Sequence, residues 1–87
     1  MKKKFVKIYK LHNDGSQQTL ATCTLVDTSI ECIGDEIFVR NLLEKGTPNY
    51  LGNSPETLFP KDGLLFLENL AYVFRSGYLN ASKVQEG

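Results

Sequence analysis

The sequence predicts an α+β fold: an antiparallel β-sheet of three to four strands packed on one longer and one shorter helix, in the order β-β-β-α-α-β. Three observations carry this. The first third alternates β-branched and aromatic runs with turn residues. The stretch Asp35 to Lys45 starts with acids, ends with a base and is followed by Gly46. The stretch Phe59 to Val84 holds the longest helical hydrophobic repeat in the chain, with a stop signal at Ser76-Gly77.

Lys4 to Leu11 (KFVKIYKL) reads as the first strand, and Thr19 to Val26 (TLATCTLV) as its return. Between them Asn13-Asp14-Gly15 supplies hairpin turn chemistry. With Asp14-Gly15 as a two-residue loop, Ile8 faces Ala21, Val6 faces Cys23 and Lys4 faces Leu25. That face is apolar apart from Lys4 and should lie under the longer helix. Lys7, Tyr9, Thr22 and Thr24 fall on the other face, toward solvent, and Phe5 falls there without an evident partner. A second tight turn at Asp27-Thr28-Ser29 leads to a strand Ile30 to Ile33, pairing Leu25 with Ile30 and Cys23 with Cys32.

The segment from Asp35 to Lys45 (DEIFVRNLLEK) is expected to be the shorter helix. Phe38, Val39, Leu42 and Leu43 share one side at about 100° per residue, and Ile37 is the misfit. A fourth strand over Glu36 to Val39 is the competing reading. Gly46 to Thr57 is a polar connection with two prolines and two glycines, a composition that turns explain, and Tyr50 with Leu51 should anchor it. The longer helix is expected from about Pro60 to Ser76. Pro60 suits its first turn, and Asp62 suits either the first turn or the N-cap. Phe66, Leu67, Leu70, Ala71, Val73 and Phe74 form the buried face; Lys61, Glu68, Asn69, Arg75 and Ser76 fall opposite. Gly77 closes the helix and lets Tyr78 fold back on Val73. Tyr78 to Val84 should return to the sheet beside the first or third strand, leaving Gln85-Glu86-Gly87 loose.

Eighty-seven residues make one small domain, and 41% hydrophobic with 23% charged residues is an ordinary globular balance. Ten basic side chains balance ten acidic ones, which removes the general electrostatic argument for nucleic acid. Lys7 interrupts the apolar run after the first lysines, so no secretory signal is expected there, and no stretch is long enough to span a membrane. Cytoplasmic residence follows, with Cys23 and Cys32 as free thiols.

No catalytic constellation emerges. His12, the single histidine, flanks a turn and is expected to be solvated. Asp35-Glu36 and the Glu56/Asp62 neighbours fit helix starts. The glycines are scattered singly, without a phosphate-binding loop. Cys23 and Cys32 read as two small buried hydrophobes on neighbouring strands. A disulfide between directly opposed residues is expected to be strained. The two thiols alone make half a zinc site, with His12 too distant to complete it. No metal, cofactor or small-molecule ligand is therefore expected, and no enzymatic activity.

Two surfaces stand out. Leu65 and Tyr72 lie seven positions apart on the polar side of the longer helix. Either the preceding loop covers the edges of a wide apolar stripe, or, with Tyr50 and Leu51, they form a contact strip for a protein partner or a second copy of the chain. Lys4, Lys7, Tyr9 and Lys10 form the alternative, a nucleic-acid surface with an aromatic among lysines. The same lysines also suit a guarded edge strand, and strand addition at an exposed sheet edge is a further route to a partner.

Pro60-Lys61-Asp62-Gly63, followed by Phe66-Leu67-Glu68, Leu70, Phe74, Ser76-Gly77-Tyr78-Leu79 and Ala81, resembles the closing segment of short uncharacterised bacterial proteins. These are similar in a Pro-x-Asp-Gly helix start and a Ser/Gly-Tyr-Leu-x-Ala end. The resemblance covers mainly the last third of the chain, with a fainter echo at Leu42-Leu43 and Gly46. It implies helix, tight turn and strand after Pro60, and no activity. The function expected is a small non-enzymatic binding or regulatory module working through protein contacts, self-association included.

Overall fold

A computed structural model describes residues 3–52, 56–74 and 79–87. Its described residues form seven strands and two α-helices: β1 (Lys4–Leu11), β2 (Gln17–Val26), β3 (Ser29–Gly34), α1 (Glu36–Lys45), β4 (Thr47–Pro48), β5 (Thr57–Leu58), α2 (Leu64–Val73), β6 (Leu79–Ala81) and β7 (Gln85–Glu86). The main sheet is antiparallel in the order β3-β2-β1-β6, with β7 also on β1. The α+β architecture is the one expected. None of the described helices is long and apolar enough to cross a membrane.

Alternation along the strands sends Val6, Ile8, Ala21, Cys23 and Ile30 to one face, where they are buried with Leu42 of α1 and Phe66, Leu67 and Leu70 of α2. Both helices thus cover the same side of the sheet. The pairs Ile8–Ala21, Val6–Cys23, Leu25–Ile30 and Cys23–Cys32 form as the alternation requires. The β2–β3 turn has two residues, and Asp27 takes φ 56°, as a mirror-image hairpin turn needs at its first position.

The β1–β2 tip departs from expectation. Its loop has three residues, Asn13 to Gly15, closed by His12 N–H donating to Ser16 O at 2.9 Å. Gly15 N–H donates to His12 O, and Gly15 has φ 87°, the geometry of a turn followed by a left-handed residue. Asp14 favours this arrangement by accepting from both the Ser16 N–H (2.9 Å) and the Ser16 hydroxyl (2.6 Å). The tip is therefore out of step by one residue, and a bulge restores the pairing: Ile8 faces Ala21 but Tyr9 faces Thr19, skipping Leu20.

α1 forms as expected. Asp35 caps it by accepting the Phe38 N–H at 2.9 Å, and Gly46 ends it by donating to Leu42 O. Ile37 is exposed, and so is Leu43, which sits too far round the helix to reach the core. The longer helix is shorter than expected at both ends. Pro60–Asp62 forms a separate 3₁₀ turn, and Gly63 at φ 62° breaks it from α2. A side chain at Gly63 would also meet Thr28 O at 2.6 Å, so a residue without Cβ is required. Asp62 turns back to accept the Phe59 N–H at 2.8 Å and caps that turn alone. At the other end Phe74 leaves helical geometry and packs on Phe38, with ring centroids 5.8 Å apart. The expected helix stop at Gly77 and fold-back of Tyr78 lie outside the described residues.

The return segment pairs with β1, not β3. The last residues are not loose: Phe5 pairs with Gln85 and Lys4 with Glu86, while Lys3 and Gly87 exchange both backbone hydrogen bonds. This covering strand half-buries Phe5, the side chain without an evident partner in the sequence. Between β6 and β7, Ser82 serves Lys7 twice, accepting its N–H on Oγ (3.0 Å) and donating its own N–H to Lys7 O (2.9 Å). β1 is therefore an interior strand, and its lysines guard no edge.

Candidate functional site

Helical spacing puts Leu65, Asn69 and Tyr72 on one side of α2, at i, i+4 and i+7. Leu65 and Tyr72 are 42% and 50% exposed, whereas Asn69 between them is fully buried. Expected among the outward polar residues, Asn69 is instead roofed over by the chain that leaves α1. Its Oδ1 accepts the Tyr50 N–H at 2.8 Å, and its amide donates to Thr47 Oγ1 (2.9 Å) and Pro48 O (2.7 Å). A buried amide is stable only with such partners.

The connection after α1 is also more ordered than its composition suggests. β4 pairs with β5, and Asn49 N–H donates to Glu56 O at 2.9 Å. Asn49 Oδ1 accepts the Leu51 N–H at 2.8 Å, turning the chain across the helix. Leu51 anchors the segment by packing on the core, as expected, but the Tyr50 side chain is exposed; only its backbone is held. The loop thus crosses the middle of the supposed strip and leaves Leu65 and Tyr72 on either side of it.

Beyond the crossing lies a groove of about 440 Å³ between the end of α2 and the β6–β7 region. Leu51, Ala71, Tyr72, Phe74, Ala81 and Val84 give it apolar walls, and Glu68, Lys83 and Asn80 supply polar groups. The Asn80 amide nitrogen is buried with no hydrogen-bond partner among the described residues. Lys83 and Val84 line the groove from the connection between β6 and β7, outside both strands. Of the four residues expected to meet a partner, the structure brings Leu51 and Tyr72 together here; Tyr50 and Leu65 stand outside. Asn80, Ala81 and Val84 carried no signal of a site in the sequence, since they join the groove only through the register of the last strands.

The lysine surface is divided. Alternation along β1 puts Lys7 and Tyr9 on the face away from the helices and Lys4 and Lys10 on the opposite one. Tyr9 is half-buried beside Thr19 and Asn80, so its ring is not presented as an open stacking platform. His12 lies at the hairpin tip within hydrogen-bonding distance of Gln18 Oε1, at 3.2 Å. Among the described residues no three His, Cys, Asp or Glu side chains converge as a metal site would require. Cys23 and Cys32 are free thiols with sulfurs 2.9 Å apart.

Compared with protein-family models, with curated proteins and with solved structures, the chain finds no significant match.

Proposed function

We propose that this protein is a small non-enzymatic binding module of the cytoplasm that engages another protein, or a second copy of itself, through the groove beside Tyr72. The observation that carries the reading is the groove itself: apolar walls, a half-exposed tyrosine at its mouth and opposite charges from Glu68 and Lys83. Interfaces concentrate their energy where an aromatic anchor meets a desolvated pocket.

Sedimentation of the wild type and Tyr72→Glu, together with capture from a source-cell extract by each, tests it. Self-association or capture that falls at least about tenfold in the variant is expected, the scale of one lost interface anchor. A monomeric wild type whose captured proteins are the same as the variant's overturns the reading.

A further inference from the structure

Cys23 and Cys32 face each other across β2 and β3 on the core side of the sheet. Asp35 N–H donates to Leu20 O at 2.7 Å, which makes that pair a hydrogen-bonded rung of the ladder. Rungs alternate, so Cys23–Cys32, three rungs on, is a non-hydrogen-bonded pair. At such pairs the Cα atoms stand about 4.5 Å apart and the side chains come closest, within the span a disulfide tolerates. The sulfurs are already 2.9 Å apart. The two thiols also differ in access. Cys23 is fully buried, while Cys32, on the outer strand β3, is partly open.

We propose that Cys23 and Cys32 are a peroxide-responsive dithiol that closes into a reversible cross-strand disulfide. The Cys32 thiolate attacks one oxygen of hydrogen peroxide; an S–O bond forms, the O–O bond breaks, and hydroxide leaves to be protonated by solvent. Cys23 Sγ then attacks Cys32 Sγ. The S–S bond forms as the S–O bond breaks, and the Cys23 proton leaves with the hydroxyl as water. Two thiols are oxidised and one peroxide is reduced to two waters. The division of labour agrees with the acidities. A hydrogen bond from Cys23 favours the thiolate at Cys32, lowering its pKa, whereas that same bond and burial raise the pKa of Cys23. The small oxidant matters, because a half-buried sulfur admits peroxide more readily than a bulky disulfide.

Intact-mass measurement after brief peroxide treatment of the native wild type decides the matter. The expected product is monomeric, lighter by about 2 Da for two hydrogens lost, and restored by dithiothreitol. Cys23→Ser should stop at a sulfenic acid on Cys32 that dimedone traps. Oxygen retained on Cys32 in the wild type, chains cross-linked into dimers, or thiols that react only after unfolding each overturn the proposal. The wild-type reading stands even if the variant folds poorly.

Discussion

Asn69, in the middle of α2, holds the backbone of Tyr50 by a 2.8 Å hydrogen bond across 19 residues of sequence. With its amide bonded to Thr47 and Pro48, this one side chain fastens the β4–β5 hairpin to the helix and fixes one border of the groove. Asn69→Ala should therefore cost about 2–4 kcal/mol in urea unfolding, because it leaves buried backbone groups without partners. Thr47→Val removes one of the three bonds and should cost about 1 kcal/mol.

Neighbours on α2 should respond very differently. Phe66 is fully buried, and Phe66→Ala should lose about 3–5 kcal/mol of stability. Leu65, 42% exposed, should change it by less than about 1 kcal/mol when replaced by Ala. Equal losses in thermal or denaturant unfolding would contradict the helix orientation.

Ending the chain after Val84 removes the strand over Phe5 and the doubly bonded Lys3–Gly87 pair. The truncated protein should melt lower by about 5–10 °C, the shift that roughly 1–2 kcal/mol produces in a domain of this size. Hydrogen exchange offers a second measure: the Lys3 amide, protected in the full chain, should exchange freely.

Asp14 should titrate below the ordinary carboxylate range, because the Ser16 hydroxyl and then the Ser16 N–H stabilise its charged form. A carboxyl whose folded pKa is depressed contributes fully above its unfolded value and loses that contribution as pH falls through the folded one. Carboxyl NMR should show a low midpoint for Asp14 that rises in Ser16→Ala. An unchanged midpoint would refute the hydrogen-bond origin.

Periodicity made the sheet, its core face and both helices legible, since a burial pattern repeats along each element. The cysteine rung was legible for the same reason: a two-residue turn between β2 and β3 fixes the register. Asn69 was not, because its burial comes from a loop that no local period describes. The 3₁₀ turn before α2 depends on a single glycine's φ and on Thr28, distant in sequence. The groove was half legible. Leu51 and Tyr72 stood out as apolar residues in polar surroundings, whereas Asn80, Ala81, Lys83 and Val84 arrive through long-range strand pairing.

The skipped Leu20 has one more consequence. Ala21 already opposes Ile8 and Thr19 already opposes Tyr9, so the residue between them spends its length on neither pairing with β1. Excising it would draw Thr19 and Ala21 into ordinary alternation against β1, at the cost of the Leu20 carbonyl that accepts the Asp35 N–H. The hairpin therefore carries one residue in excess of its pairing with β1, and that residue is kept in place from the other side, where its carbonyl takes the Asp35 N–H at the head of α1.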